Sequence, residues 1–209
     1  AWTYAAGSLG VIYCGDYLSL FLFWEMMAFS SVFLVWFRRG PKSLQTGYRY
    51  LLIHTLGGVI LLAGILLRYQ AVGDITFSLL DIKEPQLYTW LIMLGFGLNA
   101  AMVPLHSWLP DAYGEASFNG AIFLCAITTK TAVYTLARSC AGFEVLIVLG
   151  VIMALYGLFY AILENDVRRL LAWSIVSQVG YMVAGIGIGT ELAINGAVAH
   201  AVVHILYKS

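Results

Sequence analysis

Six ionisable side chains stand inside long apolar runs: Glu25, His54, Lys130, His200, His204 and Lys208. Glu25 lies within Phe21-Leu22-Phe23-Trp24-Glu25-Met26-Met27, and Lys130 within Thr128-Thr129-Lys130-Thr131-Ala132. An ionised group at the centre of a membrane helix costs about 2.5–3.5 kcal/mol on insertion scales. Glu25 and Lys130 each sit roughly 10–12 Å from the nearest end of their run, at ~1.5 Å per residue. That depth prevents an easy reach to the interface. Groups so placed serve either as a static ion pair between helices or as members of an ion path.

His200, His204 and Lys208 recur every fourth residue and therefore share one helix face. A stripe of titratable groups can pass protons through intervening water, and histidine titrates near neutrality. The competing reading lets Lys208 reach the interface while the histidines bond to neighbouring backbone. A zinc site is disfavoured, because Ala201-Val202-Val203 fills the gap where a metalloprotease motif would carry glutamate. His54 stands alone and fits a helix-packing contact as well as a path, with Gly57-Gly58 beside it for close helix approach. His106, Asp111 and Glu115 fall in a proline-broken stretch, where capping and a proton entry are both open readings.

The elements that must hold these groups are membrane helices. Of the 209 residues 61% are hydrophobic and only 11% are charged. A soluble domain carries about 25% charged residues, so a soluble fold would lack polar cover. Eight apolar runs are long enough to be whole or truncated spans, at residues 1–14, 17–37, 46–69, 88–103, 117–137, 143–163, 167–188 and 192–209. A mixed loop occupies 70–87, and Pro104 to Asp111 reads as too broken for a regular helix. The predicted fold is therefore all-α and polytopic, with one broken helix near Pro104. Both ends fall in apolar patterning, so the sequence reads as an internal piece of a longer chain. Arg38, Arg39, Lys42, Arg49, Arg168 and Arg169 fall on one side, against Arg68, Lys83 and Arg138 on the other. Six against three predicts that the first side is cytoplasmic.

Cys14, Cys125 and Cys140 have neither metal-like nor disulfide-framework spacing and read as small hydrophobes. The formal charge of zero gives no nucleic-acid footprint. Nucleophile-elbow, Walker and paired-cysteine motifs are all missing from the sequence, so no redox or hydrolytic chemistry and no cofactor is expected of this chain.

Three motifs carry a resemblance. Val103-Pro104-Leu105-His106-Ser107-Trp108-Leu109-Pro110-Asp111-Ala112, followed by Glu115-Ala116 and Thr129-Lys130-Thr131-Ala132-Val133-Tyr134, resembles the central signature of the antiporter-like subunits of respiratory complex I and Mrp-type sodium/proton antiporters. Phe23-Trp24-Glu25-Met26-Met27 is similar to the glutamate-bearing helix of that family. Glu164-Asn165-Asp166-Val167-Arg168-Arg169, with Ser177-Gln178-Val179-Gly180-Tyr181, is similar to its later corner. The resemblance implies two inverted five-helix repeats. Residues 1–138 would form most of the first and 143–209 the start of the second, spanning helices four to eleven of about fourteen. His200 through Lys208 also resembles the family's eleventh helix, and the resemblance implies that Glu25, Lys130, His204 and Lys208 are translocation residues. Where most proton-pumping members carry a lysine five residues before the proline, this chain carries Asn99.

The expected function is proton, or sodium/proton, translocation with other membrane subunits of a complex I-like or Mrp-like assembly, in a bacterial inner membrane. The translocation residues would be Glu25, Lys130, His200, His204 and Lys208, with His54, Asn99 and His106 as additional candidates. A structural scaffold with an impaired channel and an unrelated secondary transporter are the alternatives. The transporter would require a more polar substrate pocket than these runs contain.

Overall fold

The computed structural model describes residues 1–208; Ser209, expected in the last helix, lies outside the described residues. Nine helices follow one another in the described chain: α1 Trp2–Tyr13, α2 Tyr17–Trp36, α3 Pro41–Val72, α4 Leu87–Asn99, α5 Trp108–Glu115, α6 Phe118–Ser139, α7 Glu144–Leu163, α8 Val167–Ile188 and α9 Glu191–Lys208. Five of them (α2, α3, α6, α7 and α8) are long and apolar enough to cross a membrane. The all-α fold expected from the sequence is the fold observed, with helices of the length and apolar character that membrane spans require.

Helix starts follow from local chemistry. Asp16 caps α2 by accepting from the Ser19 backbone N–H at 2.7 Å and the Ser19 hydroxyl at 2.7 Å. These bonds hold the Asp16 carboxyl below its ordinary pKa. Ser117 caps α6, and Asp166 caps α8 through the N–H groups of Arg168 and Arg169. Pro41 opens α3 at a position where its missing N–H costs nothing. The helix therefore starts five residues earlier than the apolar run at 46, and its polar first turn carries Lys42 ahead of that run.

The stretch from Pro104 to Asp111 corrects the sequence reading in two ways. The fourth helix ends at Asn99 rather than at 103, and a ninth helix, α5, starts at Trp108. Pro110 lies in the first turn of α5, where no intrahelical donor is required. The break itself is tightly satisfied. Met102 N–H donates to Gly97 O at 2.9 Å, Ala101 N–H to Leu98 O at 3.0 Å, and the Trp108 indole to the same Leu98 carbonyl at 3.0 Å. One indole thus caps the end of α4 and fixes the start of α5.

Two ends of the bundle are distinct. At one end Arg38 pairs with Glu115 (3.3 Å), and Arg49 and Arg169 with Asp111 (3.7 and 3.9 Å), so the end of α2, α3 and α8 converge on α5. Asp111 and Glu115 are thereby placed in this ion-pair network. At the other end the 73–86 segment folds back over the helix ends. Tyr17 N–H donates to Ile75 O, Phe77 N–H to Gly15 O and Leu80 N–H to Ser139 O, and Phe77 and Leu80 are buried. Arg138 stacks 4.4 Å from the Phe77 ring and donates to Cys14 O.

α7 and α8 pack backbone to backbone. A Cβ on Gly150 would lie 2.6 Å from Gly180 O, and one on Gly180 would lie 2.5 Å from Ala154 N. In lipid, where apolar surface alone does not drive helices together, such close approach supplies the association. Gly150→Ala is therefore expected to destabilise the α7–α8 pair by about 1–3 kcal/mol. Gly196→Ala on α9, with nothing within 4 Å, should be neutral or stabilising. Thermal unfolding of the two variants in detergent checks the contrast, and equal melting temperatures would contradict the packing argument.

Candidate functional site

Lys130 is buried on α6 and points back along its own helix. Its Nζ donates to Cys125 O at 2.8 Å and to Thr129 Oγ1 at 3.2 Å. The four ion pairs among the described residues all lie at the Asp111–Glu115 end and none includes Lys130. Lys130 also lines a cavity of about 350 Å³ between α1, α6 and α9, with Ser8, Thr131 and Ala201 in its wall. α1 is held against this part of α6 by a seam of hydroxyls. Tyr4 bonds Thr128, Ser8 bonds Thr131 at 2.8 Å, and Tyr134 donates to Ile12 O at 2.8 Å.

The stripe on α9 faces α8 and α6. His200 Nε2 lies 2.9 Å from Gln178 Oε1, and Lys208 Nζ donates to Ser174 Oγ. Neither finding matches a lysine reaching for the interface or histidines bonded to backbone. His204 is fully buried, its ring 6.1 Å from that of His200 and 5.1 Å from that of Tyr207, and neither ring nitrogen has a protein partner. Lys208 lines a second cavity of about 170 Å³ with Tyr113, Cys125, Arg168 and Ile175. Cys125 therefore stands between the two lysines. Its carbonyl receives Lys130, and its residue lines the Lys208 cavity. Lys130 on α6 shares a cavity wall with α9, which carries His200, His204 and Lys208 on one face.

Glu25 belongs to a different cluster. Its carboxylate lies against α3 over Gly58, where a Cβ would collide with Glu25 Oε1. Only glycine leaves room for it. That oxygen is buried without a protein hydrogen bond. One turn earlier on α3, His54 is sandwiched by Tyr50 (4.1 Å between centroids) and Trp108 (4.5 Å), with both ring nitrogens unpaired. His54 lies at the end of α4, since Trp108, packed on its ring, donates to Leu98 O; the next residue, Asn99, ends α4 with its Oδ1 buried. A buried polar group left unpaired costs about 1–3 kcal/mol. These buried polar groups gather where α2, α3 and α4 meet. His106 sits apart at the break, packed on Tyr156 of α7 and Trp173 of α8.

The predicted residues thus fall into two groups, Glu25–His54–Asn99 around α3 and Lys130–His200–His204–Lys208 around α9. Buried hydroxyls of Tyr50, Ser31, Tyr4 and Thr128 lie between them: Tyr50 stacks on His54 and bonds Ser31 at 2.8 Å, while Tyr4 bonds Thr128 two residues from Lys130. Sequence reasoning did not assign roles to Ser174, Gln178, Tyr4 or Ser8. Ser174 and Gln178 are four apart, as are the residues on α9, but that spacing gains meaning only with α9 beside them.

Residues 14–209 match a family described as NADH:quinone oxidoreductase/Mrp antiporter, transmembrane. The chain is 35% identical to NADH-quinone oxidoreductase subunit N of Desulforudis audaxviator (strain MP104C), over 97% of this chain and 44% of that protein. It is 30% identical to one of the subunits of a Na(+)/H(+) antiporter of Alkalihalophilus pseudofirmus, over 98% of this chain and 45% of that protein. Its fold aligns with a chain of the Mrp complex from Dietzia sp. DQ12-45-1b at a TM-score of 0.90 and 25% identity, covering 99% of this chain and 42% of that one. The chain therefore spans less than half the length of these relatives. The match along nearly its whole length, joined to the broken helix and the buried charges, makes this chain a member of the NADH:quinone oxidoreductase/Mrp antiporter transmembrane family.

Proposed function

We propose that this chain moves protons, or exchanges sodium for protons, across a membrane as part of a multisubunit assembly of the complex I or Mrp kind. The observation that carries the reading is Lys130: a buried amine with no carboxylate partner among the described residues, lining a cavity shared with α9 and bonded to Cys125, which lines the Lys208 cavity. An ammonium ion in that position is held only by a carbonyl and a hydroxyl. Loss and regain of its proton is a small structural event, because both contacts are acceptors that water can replace.

In this reading Lys208 and Lys130 load and release protons from opposite sides of Cys125, and His204 and His200 pass them along α9. Glu25 serves the first half of the path, with residues 1–138 as the bulk of one inverted repeat and 143–209 as the start of the second. Redox chemistry, where the assembly performs it, belongs to other subunits. The Glu25–His54–Asn99 group favours a sodium variant of the same reading, since the unpaired oxygens of Glu25 and Asn99 are hard donors suited to a small cation.

In the assembled complex in sealed vesicles, Lys130→Ala should reduce dye-monitored proton flux at least about tenfold, the equivalent of ~1.4 kcal/mol. Flux at the unmodified rate would sink the assignment. For the sodium variant, Asn99→Ala should weaken the sodium dependence of transport several-fold while leaving assembly intact. An unchanged sodium titration would leave protons as the only transported ion.

A further inference from the structure

α8 has two faces with different tasks. Ser177 and Gly180 belong to the face locked on α7: Ser177 Oγ donates to Ala154 O at 2.8 Å, and Gly180 meets α7 backbone. Ser174, Gln178 and Tyr181, at i, i+4 and i+7, share the face toward α9. The α7 contact leaves α8 no room to rotate, so its second face is a fixed post for the stripe on α9.

Gln178 Oε1 lies 2.9 Å from His200 Nε2 and accepts the Tyr207 hydroxyl at 3.3 Å. With the amide oxygen turned to the ring, Gln178 accepts, and the imidazole nitrogen facing it carries hydrogen. His200 is then the Nε2–H tautomer when neutral, and its Nδ1 keeps a lone pair for an incoming proton. We propose that Gln178 is a positioning residue of the proton path, fixing which ring nitrogen of His200 exchanges protons. The inference rests on the relay reading given above. Gln178 itself neither gains nor loses a proton; it acts through His200.

The groups that face His200 are few. Tyr181 from α8 lies 6.5 Å away between ring centroids, and His204, Tyr207 and Lys208 belong to its own helix. Lys130, on α6, lines the cavity whose other wall is α9. α1 contributes only the uncharged Ser8 and Ile12 to the neighbouring cavity wall. No carboxylate is among them, so a charge placed at position 178 would be the first anion beside His200.

Gln178→Glu supplies that anion with little change of shape. A carboxylate accepting from Nε2–H favours the charged imidazolium, so His200 releases its proton at higher pH. In the assembled complex in vesicles, the midpoint of the flux–pH profile should move upward by about one pH unit. Gln178→Leu removes the acceptor and should lower flux several-fold with an unmoved amount of assembled complex. An unmoved midpoint in Gln178→Glu, or absence of flux from it at every pH, would overturn the inference. Lys130→Ala, measured alongside, separates the two levels: full flux in that variant overturns the relay itself. Loss of flux there with an unmoved Gln178→Glu midpoint overturns only the role of Gln178.

Discussion

The structure depends on one constraint: an ammonium group sits in an apolar interior, and none of the described carboxylates pairs with it. Coulomb attraction at low dielectric is strong, and a nearby carboxylate would lock Lys130 in its charged form. The chain instead surrounds it with acceptors that are polar and uncharged, the Cys125 carbonyl and the Thr129 hydroxyl, and gives it a cavity wall on α9. The threonines at 128, 129 and 131 and the hydroxyl seam to α1 follow from the same need. They supply dipoles without fixing a charge. The charged pairs are kept at one end, where Arg38, Arg49 and Arg169 meet the acids of α5 and of the α7–α8 corner and tie the broken helix down.

Rigidity and permissiveness are divided between neighbouring helices. α7 and α8 touch through glycine and alanine backbone along several turns, at Gly150, Gly157, Gly180 and Gly187. α9 meets α8 through long polar side chains, with His200, Tyr207 and Lys208 reaching Gln178 and Ser174. A backbone contact between helices cannot shift by fractions of an ångström without steric conflict. A side-chain contact can exchange its partner for water. The fixed pair therefore defines the geometry in which the adaptable stripe works.

Most of the helices were legible as apolar runs, because the bilayer sets their length and lipid tolerates nothing but satisfied backbone. The departures have local causes. α3 begins at Pro41 because proline suits a first helical turn, and α5 forms despite two prolines because one precedes it and the other sits where no backbone donor is needed. The 73–86 segment reads as a polar loop, yet Phe77 and Leu80 are core residues, since two apolar positions in a mixed stretch leave no periodic signature. The α9 stripe was legible from spacing alone. Its counterpart on α8 was not, because Ser174 and Gln178 carry no charge and their presence in a helix needs no explanation until α9 is seen beside them.

Gly57-Gly58 shows how one motif can divide its work. Adjacent glycines in a membrane helix suggest close approach of a neighbour, and Gly57 does receive Leu98 of α4. Gly58 receives a carboxylate from α2 instead. Residues one position apart point about 100° away from each other on a helix, so the pair opens two faces at once, one for packing and one for Glu25. The same rotation separates Ser177 from Gln178 on α8, one facing α7 and the other α9. In both helices a packing residue and a polar-site residue are sequence neighbours. The site is thereby placed by the very contacts that hold the bundle together, and a shift in helix packing at either point would displace the polar group beside it.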